Sequence, residues 1–180
     1  MSFDTALTAL ASVFIVGVVS AFVTTTWAGL IAAPHVATPK KFIRKALEMA
    51  GLKRGEKFYD LGAGNGHLLV MAAKEFGAEA VGLELSLYHY FLAKFNILKN
   101  NCSDKARVYW RNLYHENLRD ADVVFLWLTP RAYRRLQKKF ETELRPGARV
   151  VMFSSPLKFW EPTKTAEFGG SKRLFLYVVK

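Results

Sequence analysis

The sequence predicts an α/β fold, in which helices cover both faces of a parallel sheet, preceded by one N-terminal transmembrane helix. Three observations support this. The 30 positions between Asp4 and His35 carry no charged side chain. After them, short apolar runs alternate with helical patterns, which is typical of a parallel sheet. A glycine-rich loop follows the first of those runs. We therefore expect a membrane-anchoring helix over residues 1–33 and one globular domain over residues 34–180.

The N-terminal stretch is long enough to cross a membrane, since a hydrocarbon core needs about 20 helical residues. Trp27 lies near its end, at the depth where tryptophan favours the interface, and Lys40 and Lys41 follow. By the positive-inside tendency, the rest of the chain lies on the cytoplasmic or an equivalent inner side of the membrane. Two alternatives are a cleaved signal peptide, which favours a basic start and a shorter apolar core, and a buried core helix.

The remaining elements follow in order. Thr38 is the predicted N-cap of an amphipathic basic helix, with Pro39 in its first turn and Gly51 at its end. Apolar runs then predict strands over residues 57–61, 80–85, 106–110, 121–128, 148–153 and 173–179. Helical spacing predicts helices over residues 68–76, 88–98 and 131–144.

The composition limits the partners and the chemistry. The net charge of +11 favours an anionic partner, and beside a membrane segment anionic lipid headgroups are the stronger interpretation than nucleic acid. The single cysteine, Cys102, excludes an intrachain disulfide and a multi-cysteine metal site. The four histidines show no metal-ligand spacing, so we expect no metal.

The chemical signal is the loop Asp60-Leu61-Gly62-Ala63-Gly64-Asn65-Gly66 between a predicted strand and a helix. Its glycines allow a sharp turn and a close approach of the backbone to a ligand. It lacks the third glycine of the dinucleotide fingerprint. Glu84 ends the next strand, where a carboxylate can accept both hydroxyls of a ribose. The pattern indicates a nucleoside-containing cofactor.

Together, residues 59–66 and 81–84 resemble motifs I and II of class I S-adenosylmethionine-dependent methyltransferases, which have a Rossmann-like sheet. More narrowly, the order of segments is similar to that of compact seven-strand protein-lysine methyltransferases, a family with small archaeal and membrane-anchored mitochondrial members. The segments are residues 37–39, the glycine loop, 121–124, 128–130, 143–150 and 159–162. The resemblance covers roughly residues 34–180.

The resemblance implies S-adenosyl-L-methionine as cofactor, with the loop around its methionine part, Glu84 at the ribose and Asn112 at the adenine. The residues assigned to it are Tyr59, Asp60, Gly62, Gly64, Asn65, Gly66, Glu84 and Asn112. Asn112 stands where these enzymes usually carry an acidic residue. The catalytic candidates follow later strands, because sites of open α/β sheets lie at the carboxyl ends of strands. They are Thr129, Pro130, Trp160 and Glu161.

The expected function is that of a membrane-anchored methyltransferase that N-methylates lysine side chains of a membrane-associated protein. The expected partners are thus the membrane and a protein substrate that carries a lysine. Two alternatives stay open: a methyltransferase that acts on a lipid or quinone, and a binding module of the same fold without catalysis.

Overall fold

The computed structural model describes residues 2–32, 39–158, 160–167 and 173–180. The helices are α1 (Phe3–Ile31), α2 (Lys40–Ala50), α3 (His67–Glu75), α4 (Leu87–Lys99) and α5 (Pro130–Glu143). The strands are β1 (Lys57–Leu61), β2 (Glu79–Glu84), β3 (Ala106–Trp110), β4 (Val123–Leu126), β5 (Arg149–Phe153), β6 (Lys164–Glu167) and β7 (Arg173–Val178).

Over the described residues, seven strands form one sheet in the order β3-β2-β1-β4-β5-β7-β6. Strands β1 to β5 run parallel to one another, and β7 is antiparallel to both β5 and β6. This confirms the predicted α/β fold. The strand order reverses between β1 and β4, which opens a crevice at their carboxyl ends where ligands of this fold class bind.

The sheet has an apolar core on each face. Helices α2, α3 and α4 cover one face, and α5 covers the other. Because both faces are covered, the central strand β4 is a continuous apolar run, and all four of its residues are buried. Side chains alternate between the two faces, so Phe58 lies in one core and Tyr59 in the other.

Helix α2 packs on the sheet through an apolar face at helical spacing, with Phe42, Ile43, Ala46 and Leu47 buried. It ends where predicted, at Gly51, whose φ of 61° closes the last turn in the left-handed conformation. The predicted N-cap, Thr38, lies outside the described residues, and Pro39 occupies the cap position.

Two strands differ from the prediction. Strand β4 is shorter, since the Asp122 carboxylate accepts the Lys57 N–H at 2.8 Å before the strand begins and Trp127 leaves the sheet after it ends. Strand β6 was not predicted, because its residues are mostly exposed and polar and show no apolar alternation. It is an edge strand held by pairing with β7, and polar residues are common on such edges.

Helix α1 has no buried residue and is long and apolar enough to cross a membrane. Its side chains are exposed from Leu7 to Val19, and half-buried positions recur from Ser20 to Ile31. The last turns of the helix therefore make its contacts with the described part of the domain. The predicted boundary between residues 33 and 34 lies outside the described residues.

Candidate active site

A cavity of about 340 Å³ lies at the carboxyl ends of β1 to β4. Its floor is the loop after β1, one side is the end of β2 and the start of α4, and the other side is the loop after β4. The segment after β3 closes the far end, and the last turns of α1 form a wall. This is the crevice that the strand order predicts.

The glycine loop takes a backbone path that other residues rarely adopt. Gly62, Gly64 and Gly66 have φ angles of 101°, 52° and 75°. A Cβ on Gly66 would lie 3.0 Å from the Ala93 Cβ, so the loop is pressed against α4. A bare backbone thus faces the cavity at Gly62 and Gly64, and α3 begins directly behind it. Such a helix start favours a carboxylate.

The Glu84 side chain is fixed between two backbone amides. Its Oε2 accepts the Gly64 N–H at 2.8 Å, and its Oε1 accepts the Ser86 N–H at 2.7 Å. Burial raises the pKa of this carboxyl, and the backbone hydrogen bonds oppose that rise. Each oxygen keeps a second lone pair for a hydroxyl group in the cavity.

Asp60 lies on the same face of the sheet as Glu84 and is also buried. Burial, with a smaller contribution from the Glu84 charge, raises the pKa of Asp60 to about 8. Two buried carboxyls in one cavity form a site that binding of a cation would stabilise. S-adenosylmethionine carries both a ribose and positive charge, so these residues and the bare loop fit this cofactor.

The end of α1 is fastened to the domain beside this cavity. The Thr25 and Ser86 hydroxyls share a hydrogen bond of 2.6 Å, and Thr24 Oγ1 accepts the Leu87 N–H at 3.0 Å. These contacts join α1 to the start of α4. Ala28, Ile31 and Ala32 continue along the cavity wall.

Three further hydrogen bonds hold the C-terminal end of α1 and its cap residue, Ala32. The Tyr114 hydroxyl donates to the Ile31 carbonyl at 2.8 Å. Thr129 donates to the Ala32 carbonyl through its N–H at 3.1 Å and through Oγ1 at 2.8 Å. Sequence reasoning missed this wall, although three successive threonines, Thr24 to Thr26, in an otherwise apolar helix were a signal of polar contacts.

Most residues assigned to the cofactor line the cavity, namely Asp60, Gly62, Gly64, Asn65, Glu84 and Asn112. The Asn112 Oδ1 accepts the Tyr114 N–H at 3.1 Å, which shapes the turn after β3. Gly66 is not among the lining residues and forms the turn into α3. The structure does not bring Tyr59 to the cavity. Strand alternation turns its ring to the opposite face, where its hydroxyl donates to Asp120 at 3.0 Å.

The four catalytic candidates divide in the same way. Thr129 and Pro130 line the cavity, and Thr129 also caps α5. Trp160 and Glu161 are not brought to the cavity. The Trp160 ring packs near the rings of Phe140 and Tyr177, with centroids 6.5 and 6.2 Å apart, and Glu161 is exposed. The aromatic wall is supplied instead by Trp127, whose ring meets Phe153 edge-on.

Two histidines also line the cavity. His67 stands at the start of α3, where burial and the nearby Lys40 lower its pKa, which favours the neutral ring. His89 is buried, and its Nδ1 lies 3.0 Å from the Ser86 hydroxyl that also contacts Thr25. The histidine on α4 thus supports the contact between α1 and the domain.

Known proteins share both sequence and fold with this chain. A family model described as the ANTKMT methyltransferase domain matches residues 60–164. A protein-lysine N-methyltransferase of Saccharolobus islandicus (strain REY15A) is 33% identical over 150 residues, covering 81% of this chain and 93% of that relative. An adenine nucleotide translocase lysine N-methyltransferase of Mus musculus is 31% identical over 147 residues, covering 81% of this chain. The chain spans only 63% of the mouse relative.

Among solved structures, an RNA methyltransferase from Salinibacter ruber in complex with S-adenosyl-L-homocysteine superposes with a TM-score of 0.78. It is 28% identical to this chain, and the match covers 80% of this chain and 94% of that structure. Because the family model matches more than half of the sequence, the chain belongs to the ANTKMT methyltransferase domain family and is an S-adenosylmethionine-dependent methyltransferase of the class I fold.

Proposed function

We propose that this chain is a membrane-anchored protein-lysine N-methyltransferase, and that its substrate is a lysine held at the membrane surface by a membrane-associated protein. The observation that carries the proposal is the wall that the last turns of α1 add to the cofactor cavity. A helix apolar enough to span a membrane thereby ends within the site, which restricts the site to substrates near the bilayer.

The same observation argues against the two alternative interpretations of the N-terminal segment. A signal peptide that is cleaved would leave the cavity without one wall and would leave the Tyr114 and Thr129 donors without the α1 carbonyls. A core helix would be buried along most of its length, whereas α1 is exposed from Leu7 to Val19. A span anchored at its C-terminal end accounts for both facts.

The charge of α5 supports an inner-side orientation next to anionic lipid. Arg135 stacks 3.9 Å above the Tyr114 ring, whose hydroxyl holds the end of α1. Arg131, Arg134 and Lys138 are exposed on the same helix. Basic groups beside the end of a membrane span are attracted to anionic headgroups.

The apolar and aromatic residues that line the cavity suit an amine nucleophile. S-adenosylmethionine, when bound, supplies an electrophilic methyl group on a sulfonium, and a lysine must be neutral to attack it. The cavity has an apolar rim, formed by Trp127, Leu128, Pro130 and Ile31. This rim disfavours a charged ammonium and so lowers the pKa of a lysine that enters. The Trp127 ring can guide the ammonium form inward before the proton leaves.

The names of the relatives agree with a lysine acceptor. The archaeal relative is named a protein-lysine N-methyltransferase, and two mouse relatives are named for lysines of an adenine nucleotide translocase and of the ATP synthase. The Salinibacter ruber structure is named an RNA methyltransferase, and a net charge of +11 also attracts RNA. RNA is therefore a second candidate acceptor, and a lipid or quinone is a third.

The test measures transfer of labelled methyl groups from S-adenosylmethionine to isolated membranes and to RNA. Both are prepared from source cells that lack the gene for this chain, so that their acceptor sites are unmodified. The purified full chain in detergent is compared with Glu84→Ala. The products are separated into protein, organic-extractable and ribonuclease-sensitive fractions, and labelled protein is hydrolysed to identify the methylated amino acid. Methyllysine in a membrane protein supports the proposal. Label confined to the organic or ribonuclease-sensitive fraction overturns it in favour of a lipid or an RNA acceptor.

A further inference from the structure

Helix α4 carries an apolar face that the described structure leaves uncovered. We name it the α4 apolar face: Tyr88, Phe91, Phe95 and Leu98, whose side chains are 57 to 59% exposed. These positions are three and four residues apart, so they form one continuous stripe. The opposite side of the helix, with Ala93 and Ile97, is buried against the sheet. Four large apolar side chains in one exposed stripe indicate a partner.

The edges of the stripe are basic and aromatic. Lys94 and Lys99 are exposed on α4 and lie to either side of the stripe at 3.6 residues per turn. Trp110, half exposed at the end of β3, donates its indole N–H to the Leu85 carbonyl at 2.8 Å, just before α4 begins. An aromatic stripe flanked by lysines and a tryptophan is the composition of helices that lie in a membrane interface.

The position of α1 brings this stripe to the depth of the membrane surface. The α1 segment before Ser20, residues 3–19, is about 26 Å long at 1.5 Å per residue, close to the roughly 30 Å of a hydrocarbon core. Thr24 and Thr25, which contact the start of α4, follow about 8 Å further along the helix. Helix α4 therefore begins within the headgroup region of a bilayer that α1 spans.

We propose that the α4 apolar face lies in the interfacial region of this same membrane, with its aromatic rings at the boundary of the acyl chains and Lys94 and Lys99 at anionic headgroups. The inference rests on the proposed membrane span of α1 and adds a second contact to it. Two contacts on one rigid domain fix its tilt. The cavity, whose wall is the end of α1, is then held at a constant height above the membrane.

The experiment uses the full chain reconstituted in liposomes that contain anionic lipid, with single nitroxide labels in a Cys102→Ala background. The labels replace Phe95 on the α4 apolar face, Val16 in α1 and, as a matched exposed control on the other side of the sheet, Glu141 in α5. Power saturation of the nitroxide signal compares collisions with oxygen, which concentrates in lipid, and with a water-soluble nickel complex. Methyl-donor binding is measured for each labelled protein to establish that it is folded.

The expected result is that labels at Phe95 and Val16 collide more with oxygen than with nickel, and that the label at Glu141 shows the reverse. If Val16 reports lipid but Phe95 reports water like Glu141, the interfacial contact of α4 is refuted and the anchor stands. If Val16 also reports water, the membrane span itself fails. If Phe95 is shielded from both reagents and becomes accessible when protein is diluted in lipid, a second copy covers the face, which overturns the inference.

Discussion

Replacement of Glu84 by glutamine tests the centre of the candidate site. The two carboxylate oxygens accept the Gly64 and Ser86 amides at 2.8 and 2.7 Å. In Glu84→Gln one of these positions becomes an NH₂ group, which cannot accept, so one buried backbone N–H loses its partner and one ribose acceptor is lost. A hydrogen bond to a charged group contributes about 1.5 to 3 kcal/mol, which corresponds to a roughly 10- to 100-fold weaker affinity for S-adenosylmethionine.

The assay is calorimetric titration of the full chain in detergent with S-adenosylmethionine and, separately, S-adenosylhomocysteine. Glu79→Gln is the matched control, since it makes the same change at an exposed position of the same strand. We expect the control to bind like the parent protein. An affinity of Glu84→Gln within about twofold of the control would refute the assignment of this carboxylate to the cofactor.

Three further predictions follow from the same geometry. Gly66→Ala places a Cβ 3.0 Å from the Ala93 Cβ, at a residue whose φ is 75°. We therefore expect the free energy of unfolding to fall by about 3 kcal/mol, measured by denaturant titration. An unchanged midpoint of that titration would contradict the prediction. The Asp60 carboxyl has a pKa of about 8 in the folded protein against an ordinary value of 3.8, so the folded state holds this proton more tightly than the unfolded state does. The free energy of unfolding therefore falls as pH rises from about 4 to 8. Asp60→Asn should remove that loss and raise the thermal midpoint at pH 8, and a parallel pH profile of the two proteins would exclude it. Removal of residues 1–32 takes away one wall of the cavity, so we expect about tenfold weaker cofactor binding. Tyr114→Phe removes one hydrogen bond to the end of α1 and should weaken binding less. Undiminished affinity in both variants would show that α1 does not contribute to cofactor binding.

Local patterns in the sequence were sufficient for most elements of the fold. The predicted bounds agree within one or two residues for strands β1, β2, β3, β5 and β7 and helices α3, α4 and α5, since apolar runs mark the strands and apolar residues at helical spacing mark the helices. Strand β6 escaped prediction because an exposed edge strand needs no apolar face. Its structure depends on pairing with β7, which no local pattern encodes.

Which of the residues assigned to the cofactor share the cavity was largely predictable for the same reason. Gly62 and Gly64 follow β1 and Glu84 ends the neighbouring parallel strand β2, and the carboxyl ends of such strands meet at one edge of the sheet. Tyr59 was assigned by its place in the motif, although the alternation of a strand turns every second side chain to the other face. That face could be inferred from Asp60 beside it, because neighbours on a strand point to opposite sides.

The sequence by itself determined the order of the elements, the glycine loop with its carboxylate partner and an N-terminal helix apolar enough to span a membrane, since each is a property of neighbouring residues. Only the tertiary structure decided which side chains share the cavity. Trp160 and Glu161 lie away from it, whereas Trp127 and the end of α1 line it. The contact between Thr25 and Ser86 joins positions 61 residues apart, and periodicity predicts which face of a helix is apolar but not what packs against it. The site is therefore completed by long-range packing of the N-terminal helix on the domain.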